Sequence, residues 1–584
     1  MNWRALLLNQ WFQLCLLVAA LSGGTTIYNF TRSNPNPPPK SNVVTPSPMP
    51  QPNPGGPLAP QRRIVTKLTP KKRGQWILDA SGSGDSDGGE LEAVAASLVE
   101  GDTVTVRAGT YTGSCEIAVS ARFAGPAAGK GVATIRSVDS QRAGCSITGK
   151  KVSFENVSVN FDAAGDSPAI QVLRDANFEM LNCSVATQSK FGILVSENAS
   201  LSAQDSNFAA PAAGCCLKYG GTTRGTLNRC NFSAGRWGLE AVNAAQVQGS
   251  NCTFQNIGLV NGVGLVIGVV GGRASVKLEA CQFNGNSASI LADEGAYLQV
   301  IGSAFRTNGV TGEEGNSSVG TICVQTGAKV SLKEDTFEDN KQGLVALKAG
   351  SLTLQSVQMR RTGLITNNQK LSPYCNAIGA SEQGTTVNVA GSTITDSLNH
   401  ALIVSGGAHL KVVETTITNS NESGLVLGFP NVGASQAELN NVRFVRSHNH
   451  TILVNSGSHL EMQNCQVSES DLIGIVARDS GTQARLVDTS VSGCKTTGIN
   501  ANAGAVITAT GCKMENTTRG AQAGLPNEPQ RAGRIVLQNC TVRGNSVFGV
   551  GACRGATLEM KGGFLGNNRE DTFHESGGNV QLSR

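Results

Sequence analysis

The sequence predicts an all-β solenoid, one chain wound into about 20 stacked coils. Three observations predict it. First, a pattern returns from about residue 150 to the end: Ala-x-Leu-x-Leu-x-x-Cys-x-Phe, then Asn, then Gly-Leu-x-Val. Ala274-Ser-Val-Lys-Leu278 with Cys281-Gln-Phe283 is one copy, and Ala328-Lys-Val-Ser-Leu332 with Phe337 and Gly343-Leu-Val345 is another. Two-residue alternation, broken by Asn and Gly at a fixed period, is the mark of stacked strands. Second, the first inward apolar residue of each unit, from Leu201 to Val580, advances 379 residues in 15 steps, so a coil takes about 25 residues. Third, 70 of the 584 residues are Gly and only 15% are charged. A globular core of this length would divide, whereas each turn of a solenoid brings its own slice of core.

The elements follow in chain order. Residues 1–24 predict a signal peptide or a membrane anchor, with Arg4 as the positive flank and Leu14 to Leu21 as the apolar run. Asn9, Gln10 and Gln13 make a full membrane span imperfect. Residues 25–75 predict a disordered Pro-rich linker, since twelve of the 19 prolines fall between Pro35 and Pro70. The net charge of +5 misleads, because residues 1–78 hold nine basic residues and no acidic one. The remainder carries 38 basic against 42 acidic residues, so no basic face for nucleic acid is expected.

The body runs from residue 76 to 584. It opens with Trp76-Ile-Leu-Asp-Ala-Ser-Gly-Ser-Gly-Asp85, a helix-like stretch from Glu90 to Val99, and Gly101-Asp-Thr-Val-Thr-Val-Arg-Ala-Gly-Thr-Tyr-Thr112. This opening resembles that of the right-handed parallel β-helix, or pectin lyase-like, superfamily. The resemblance implies a right-handed solenoid over 76–584, with Leu91–Leu98 as the helix that caps its open N-terminal end. It implies no single activity, because that superfamily hosts lyases, hydrolases, esterases, epimerases and binding proteins.

Within each coil the alternation assigns faces: in Ala408-His-Leu-Lys-Val412, Leu410 and Val412 point in and His409 and Lys411 point out. Asn286, Asn308, Asn340, Asn419 and Asn545 follow strands and are expected to take left-handed turns. Longer steps place loops at 257–272, 308–326, 360–384, 420–435 and 517–532, expected at one place in the coil as a wall beside a strand face. Cys183, Cys230, Cys252, Cys281, Cys465, Cys512 and Cys540 share one slot, two before an inward Phe, Val or Met, and are expected as a buried ladder of free thiols. Cys115 and Cys145, near the capped end, are the expected disulfide. Cys215-Cys216 has no place in the pattern, and without a Cys-x-x-Cys pair no structural metal site is expected.

Candidate binding residues form two groups. Arg236-Trp-Gly-Leu-Glu240 brings a cation, an indole and a carboxylate together through Arg236, Trp237 and Glu240; the indole is either a sugar platform or a filler of the coil interior. The segments 397–410 and 447–460 are copies of each other, matching His400 to His450 and His409 to His459. One coil intervenes, so matched histidines lie roughly 10 Å apart, too far to share a metal ion; they either grip successive units of a long ligand or are exposed residues carried along when a coil pair was duplicated. The adjacent pairs Asp293-Glu294 and Glu313-Glu314 point to opposite sides of an extended strand, and so form no acid–base pair.

Set against the superfamily, the chain lacks the Asp-Asp pair and Gly-His-Gly of its pectinase-type hydrolases, the Asp-Phe-Ile-Phe-Gly of pectin methylesterases and the Trp-x-Asp-His of pectate lyases. The expected function is therefore that of an exported or surface-tethered protein, secreted, periplasmic or held at the cell surface by its N-terminal segment. It binds polysaccharide or a surface partner along its flank without catalysis. The alternatives are a polysaccharide lyase or epimerase, and a structural scaffold or sensor ectodomain. No cofactor is expected; calcium enters only under the lyase reading.

Overall fold

A computed structural model describes residues 67–583, apart from 83–84, 259–264, 288, 310–319, 364–375, 431 and 527. The signal or anchor, nearly all of the linker and the Glu313-Glu314 pair lie outside the described residues. The body is a parallel, in-register stack. Each typical coil supplies three strands, as in Ser275–Glu279, Gln282–Asn284 and Ser289–Asp293, which we call the first, second and third faces. Each strand pairs with its counterpart one coil on, Val276 with Leu298, Phe283 with Phe305 and Ile290 with Ile322. The first two faces merge into one 38-stranded sheet. In-register stacking places like residue on like, and this is why one sequence slot becomes one column in space.

The interior is built of such columns. Phe208, Phe232, Phe254, Phe283, Phe305 and Phe337 stack with ring centroids 4.4–5.1 Å apart. Beside them runs a column of buried asparagines. Asn286 Nδ2 donates to Asn308 Oδ1 at 3.0 Å and to Phe254 O of the preceding coil at 3.0 Å; Asn308 repeats this toward Asn340 Oδ1 and Phe283 O. This corrects the turn assignment. Of the five asparagines only Asn419 is left-handed, with φ 56°. At the others the preceding residue takes that conformation: Gly285, Thr307, Asp339 and Gly544. The Asn side chains turn inward because their amides satisfy buried carbonyls and each other.

The fourteen cysteines within the described residues are all buried. The shared slot explains its own composition. Cys230 Sγ donates to Asn228 O at 3.5 Å and to Ala203 O at 3.4 Å. Ser206 in the same slot donates to Gln204 O at 2.9 Å and accepts from the backbone of Cys183 at 3.1 Å. The slot selects a small donor, and thiol and hydroxyl both serve. Burial pushes the Cys183 thiol up to about 11, which keeps it protonated. Asp335 is the exception. Its carboxyl accepts from Ser303 N at 2.7 Å and Lys333 N at 2.9 Å, while burial pushes it up to about 7.

The capping helix, α1 (Leu91–Ser97), is present and ends one residue before the expected limit. Leu91, Val94 and Ala95 join Trp76, Leu78 and Ile117 in the core, so the helix seals the first coils as the resemblance implied. Buried Trp76 Nε1 donates to Asp102 Oδ2 at 2.8 Å, tying the first strand to the second. The insertions do not all fall at one place. Each expected loop up to residue 435 contains a third-face strand, such as Ile322–Val324 or Leu425–Leu427. Three insertions therefore precede that strand, at 259–264, 310–319 and 364–375, and two follow it, at 428–435 and 524–533. These strands can be only three residues long, too short to show a period in sequence.

Candidate functional site

Trp237 opens the third-face strand Trp237–Val242 and points outward, not into the coil. Leu239 and Ala241 of that strand fill the interior. The half-buried indole lies across the outer side of the next coil, where a Cβ on Gly268 would stand 3.5 Å from Trp237 Cζ3. Phe191, Cys215 and Trp237 form one column on three successive coils. Cys216 packs in the core while Cys215 is left out of it, which accounts for the doublet. Glu240, on the same outer side, binds Lys218 Nζ at 2.8 Å, and Lys218 and Lys190 lie 5.5 and 5.4 Å from the Phe191 ring centroid. Arg236 precedes the strand, its backbone N donating to Gly214 O at 2.9 Å.

The histidines divide between two faces. His409 and His459 sit in one outer column of the first face with Gln436 between them. His409 Nε2 lies 3.4 Å from Glu438. His400 and His450 each lie two residues before a third-face strand, with Ser423 in the coil between. His400 is buried and its Nδ1 accepts from Ser423 N at 3.0 Å. Burial pulls His400 down to about 4; burial and the charge of Arg478 do the same for His450. The two histidines of one copy therefore belong to different sites. Among the described residues no three His, Cys, Asp or Glu are grouped so as to hold a metal ion. Glu294 is a turn residue with φ 52°, and Asp293 accepts from Gln325 Nε2 at 2.9 Å.

A patch outside both groups emerges on the outer side of the third face. Its central column is apolar through Ile403, Val426, Leu453 and Val476, then becomes Asn500 and Gln522. Arg478 beside it donates from Nε to Asn455 Oδ1 at 2.6 Å. Arg519 donates to Gln522 Oε1 at 3.3 Å and lies 5.9 Å from the ring of Phe548, which stacks on Phe573 at 5.0 Å. Asn502 donates to Asn500 Oδ1 at 2.6 Å, and Asn500 to the carbonyls of Gln522 and Gly524. The segment 524–533 borders the patch, held by Gly524 N to Ala501 O and Gly504 N to Ala532 O. Among the described residues neither Arg478 nor Arg519 forms an ion pair, and the buried Nε of Arg519 has no partner. The signal was in the sequence: Gly498-Ile-Asn-Ala-Asn502 and Gly520-Ala-Gln-Ala523 carry amides where Gly424-Leu-Val-Leu427 is apolar.

No curated protein matches the sequence. Among solved structures, similar ones include a periplasmic alginate epimerase, 10% identical, covering 58% of this chain and 76% of that one at TM-score 0.32. An alginate lyase from Paenibacillus is 14% identical, covering 56% and 92% at TM-score 0.27. A pectate lyase is 12% identical, covering 66% and 78% at TM-score 0.27. The family described as the right-handed beta helix region matches residues 137–305, 376–523 and 428–582, more than half of the chain. With the in-register three-faced coils seen throughout the body, this establishes that the chain belongs to the right-handed β-helix family.

Proposed function

We propose that this protein binds a polysaccharide along the outer side of its third face and does not cleave it. The observation that carries the reading is the pair Arg478 and Arg519, two half-buried guanidinium groups held against the buried amides of the third face and, among the described residues, without acidic partners. A polymer lying along the stack meets a new coil every ~4.8 Å, and planar guanidinium donors suit its hydroxyl and acidic groups. The Phe548–Phe573 stack adds an apolar platform at one end, and the outward Trp237 a second contact point farther along the same face. The protein acts outside the cytoplasm, held by its N-terminal segment.

The test is affinity electrophoresis of the full chain through gels containing neutral, carboxylated or sulfated polysaccharides, with and without calcium. Ultraviolet absorbance of unsaturated product is followed on the same samples. Retardation by at least one polymer without product supports the reading. Absorbance that rises with calcium assigns a lyase instead. No retardation by any polymer leaves a scaffold.

A further inference from the structure

We infer that Cys115 and Cys145 form a structural disulfide that staples the first two coils of the third face. The two residues are register partners on the adjacent strands Cys115–Ile117 and Cys145–Ile147. Neighbouring parallel strands lie ~4.8 Å apart, inside the Cα range of natural disulfides. Their sulfurs already face each other at 3.3 Å, so closing to a bond of ~2.05 Å takes only a small rotation.

The other stacked thiols supply the contrast. Cys230, Cys281, Cys512 and Cys540 occupy the slot that Ser and Thr also fill, each donating to backbone carbonyls. Oxidising one of those would leave carbonyls unsatisfied. Cys115 and Cys145 belong to no such slot and have each other instead. Their place matters as well. The strand Cys115–Ile117 begins the third face, pairing with one strand only, while the capping helix lies against it. A solenoid frays from its ends, because an end coil has half the contacts of a central one. The cross-link would close a loop of about thirty residues there, enough to hold the end coil against opening.

The bond forms by exchange with an external small-molecule disulfide. One thiolate attacks it, releasing one external thiol and leaving a mixed disulfide; the second thiolate then displaces the other external thiol. Two protons and two electrons leave the protein, and the external disulfide is reduced to two thiols. Both residues are buried in the finished fold, so the exchange precedes closure of the first coils. This inference is independent of the polysaccharide reading.

The full chain, refolded in a glutathione buffer rich in the oxidised form, is blocked with iodoacetamide in denaturant and digested for mass spectrometry. The expected result is one peptide pair joined through Cys115 and Cys145, with the slot cysteines alkylated. Alkylation of both Cys115 and Cys145, or linkage within the slot, overturns the proposal. Limited trypsin digestion provides the second arm, read at Arg122 and Lys130 within the closed loop. The oxidised protein is cut about tenfold more slowly than after reduction, and Cys115→Ser abolishes the difference. Equal rates before and after reduction also overturn the staple.

Discussion

Two third-face strands have the same inner side and opposite outer sides. In Leu425–Leu427, Leu425 and Leu427 fill the coil and Val426 points out; in Thr497–Asn502, Ile499 and Ala501 fill the coil and Asn500 and Asn502 point out. The strands are three coils apart in one parallel ladder. The difference teaches that the inner residues set the coil, while the buried outer side is filled either by an apolar cluster or by bonded amides. The outer column changes from apolar residues to amides while the coil geometry stays the same. Inner and outer substitutions should therefore separate cleanly into stability effects and binding effects.

The largest effect is expected inside. Phe283→Ala opens a cavity in the middle of the Phe stack and should cost about 3–5 kcal/mol, read by denaturant unfolding. Polysaccharide affinity of the protein that remains folded should not change. A loss of affinity in the folded fraction would break the separation.

Next is a pH effect. His400 is held neutral, its folded pKa of about 4 lying below the ordinary 6.5. The unfolded chain thus binds the proton more readily. The stability His400 contributes is full above pH 6.5, is lost as pH falls toward 4, and is level below that, amounting to about 3 kcal/mol. His450, lowered likewise to about 4 by burial and the charge of Arg478, acts in the same direction. Unfolding free energies of the wild type and His400→Asn between pH 7 and 4 check this, and equal slopes would refute it.

Asp335 runs the other way. Its folded pKa is raised to about 7, so its contribution is full below pH 3.8 and is lost as pH rises through 7. Serine fills the same slot at Ser206, Ser303 and Ser392, donating to a nearby carbonyl and accepting a backbone N–H without the cost of a buried charge. Asp335→Ser should therefore stabilise the protein by about 1–2 kcal/mol at pH 8, with the gain shrinking at pH 5. Smallest is Trp237→Ala, an outer change at the second contact point. It should leave stability within about 0.5 kcal/mol and weaken binding by about 1 kcal/mol.

The inner side was legible in the sequence and much of the outer side was not. Inward residues such as Val276 and Leu278 alternate strictly, so coil length, the Phe stack and the thiol slot could be read from spacing. The buried Asn column was misread because a turn asparagine and a bridging asparagine occupy the same position after a strand. Only the left-handed φ at Gly285 and Asp339 tells them apart. The third face defeated alternation. Along 497–502 the pairing passes over Gly498 at an unchanged offset, joining Thr497 to Arg519 and Ile499 to Ala521. Gly498 and Ile499 both turn inward there, and Asn500 returns to the outside. The same irregularity at Trp237 and Leu239 left the direction of the indole open.

The most direct test of the account combines affinity electrophoresis and thermal unfolding of the full chain and of the Arg478→Ala, Arg519→Ala double variant. The account predicts that retardation by polysaccharide falls at least about tenfold, from two charge-assisted contacts, while the melting temperature holds. Unchanged retardation at an unchanged melting temperature would contradict it.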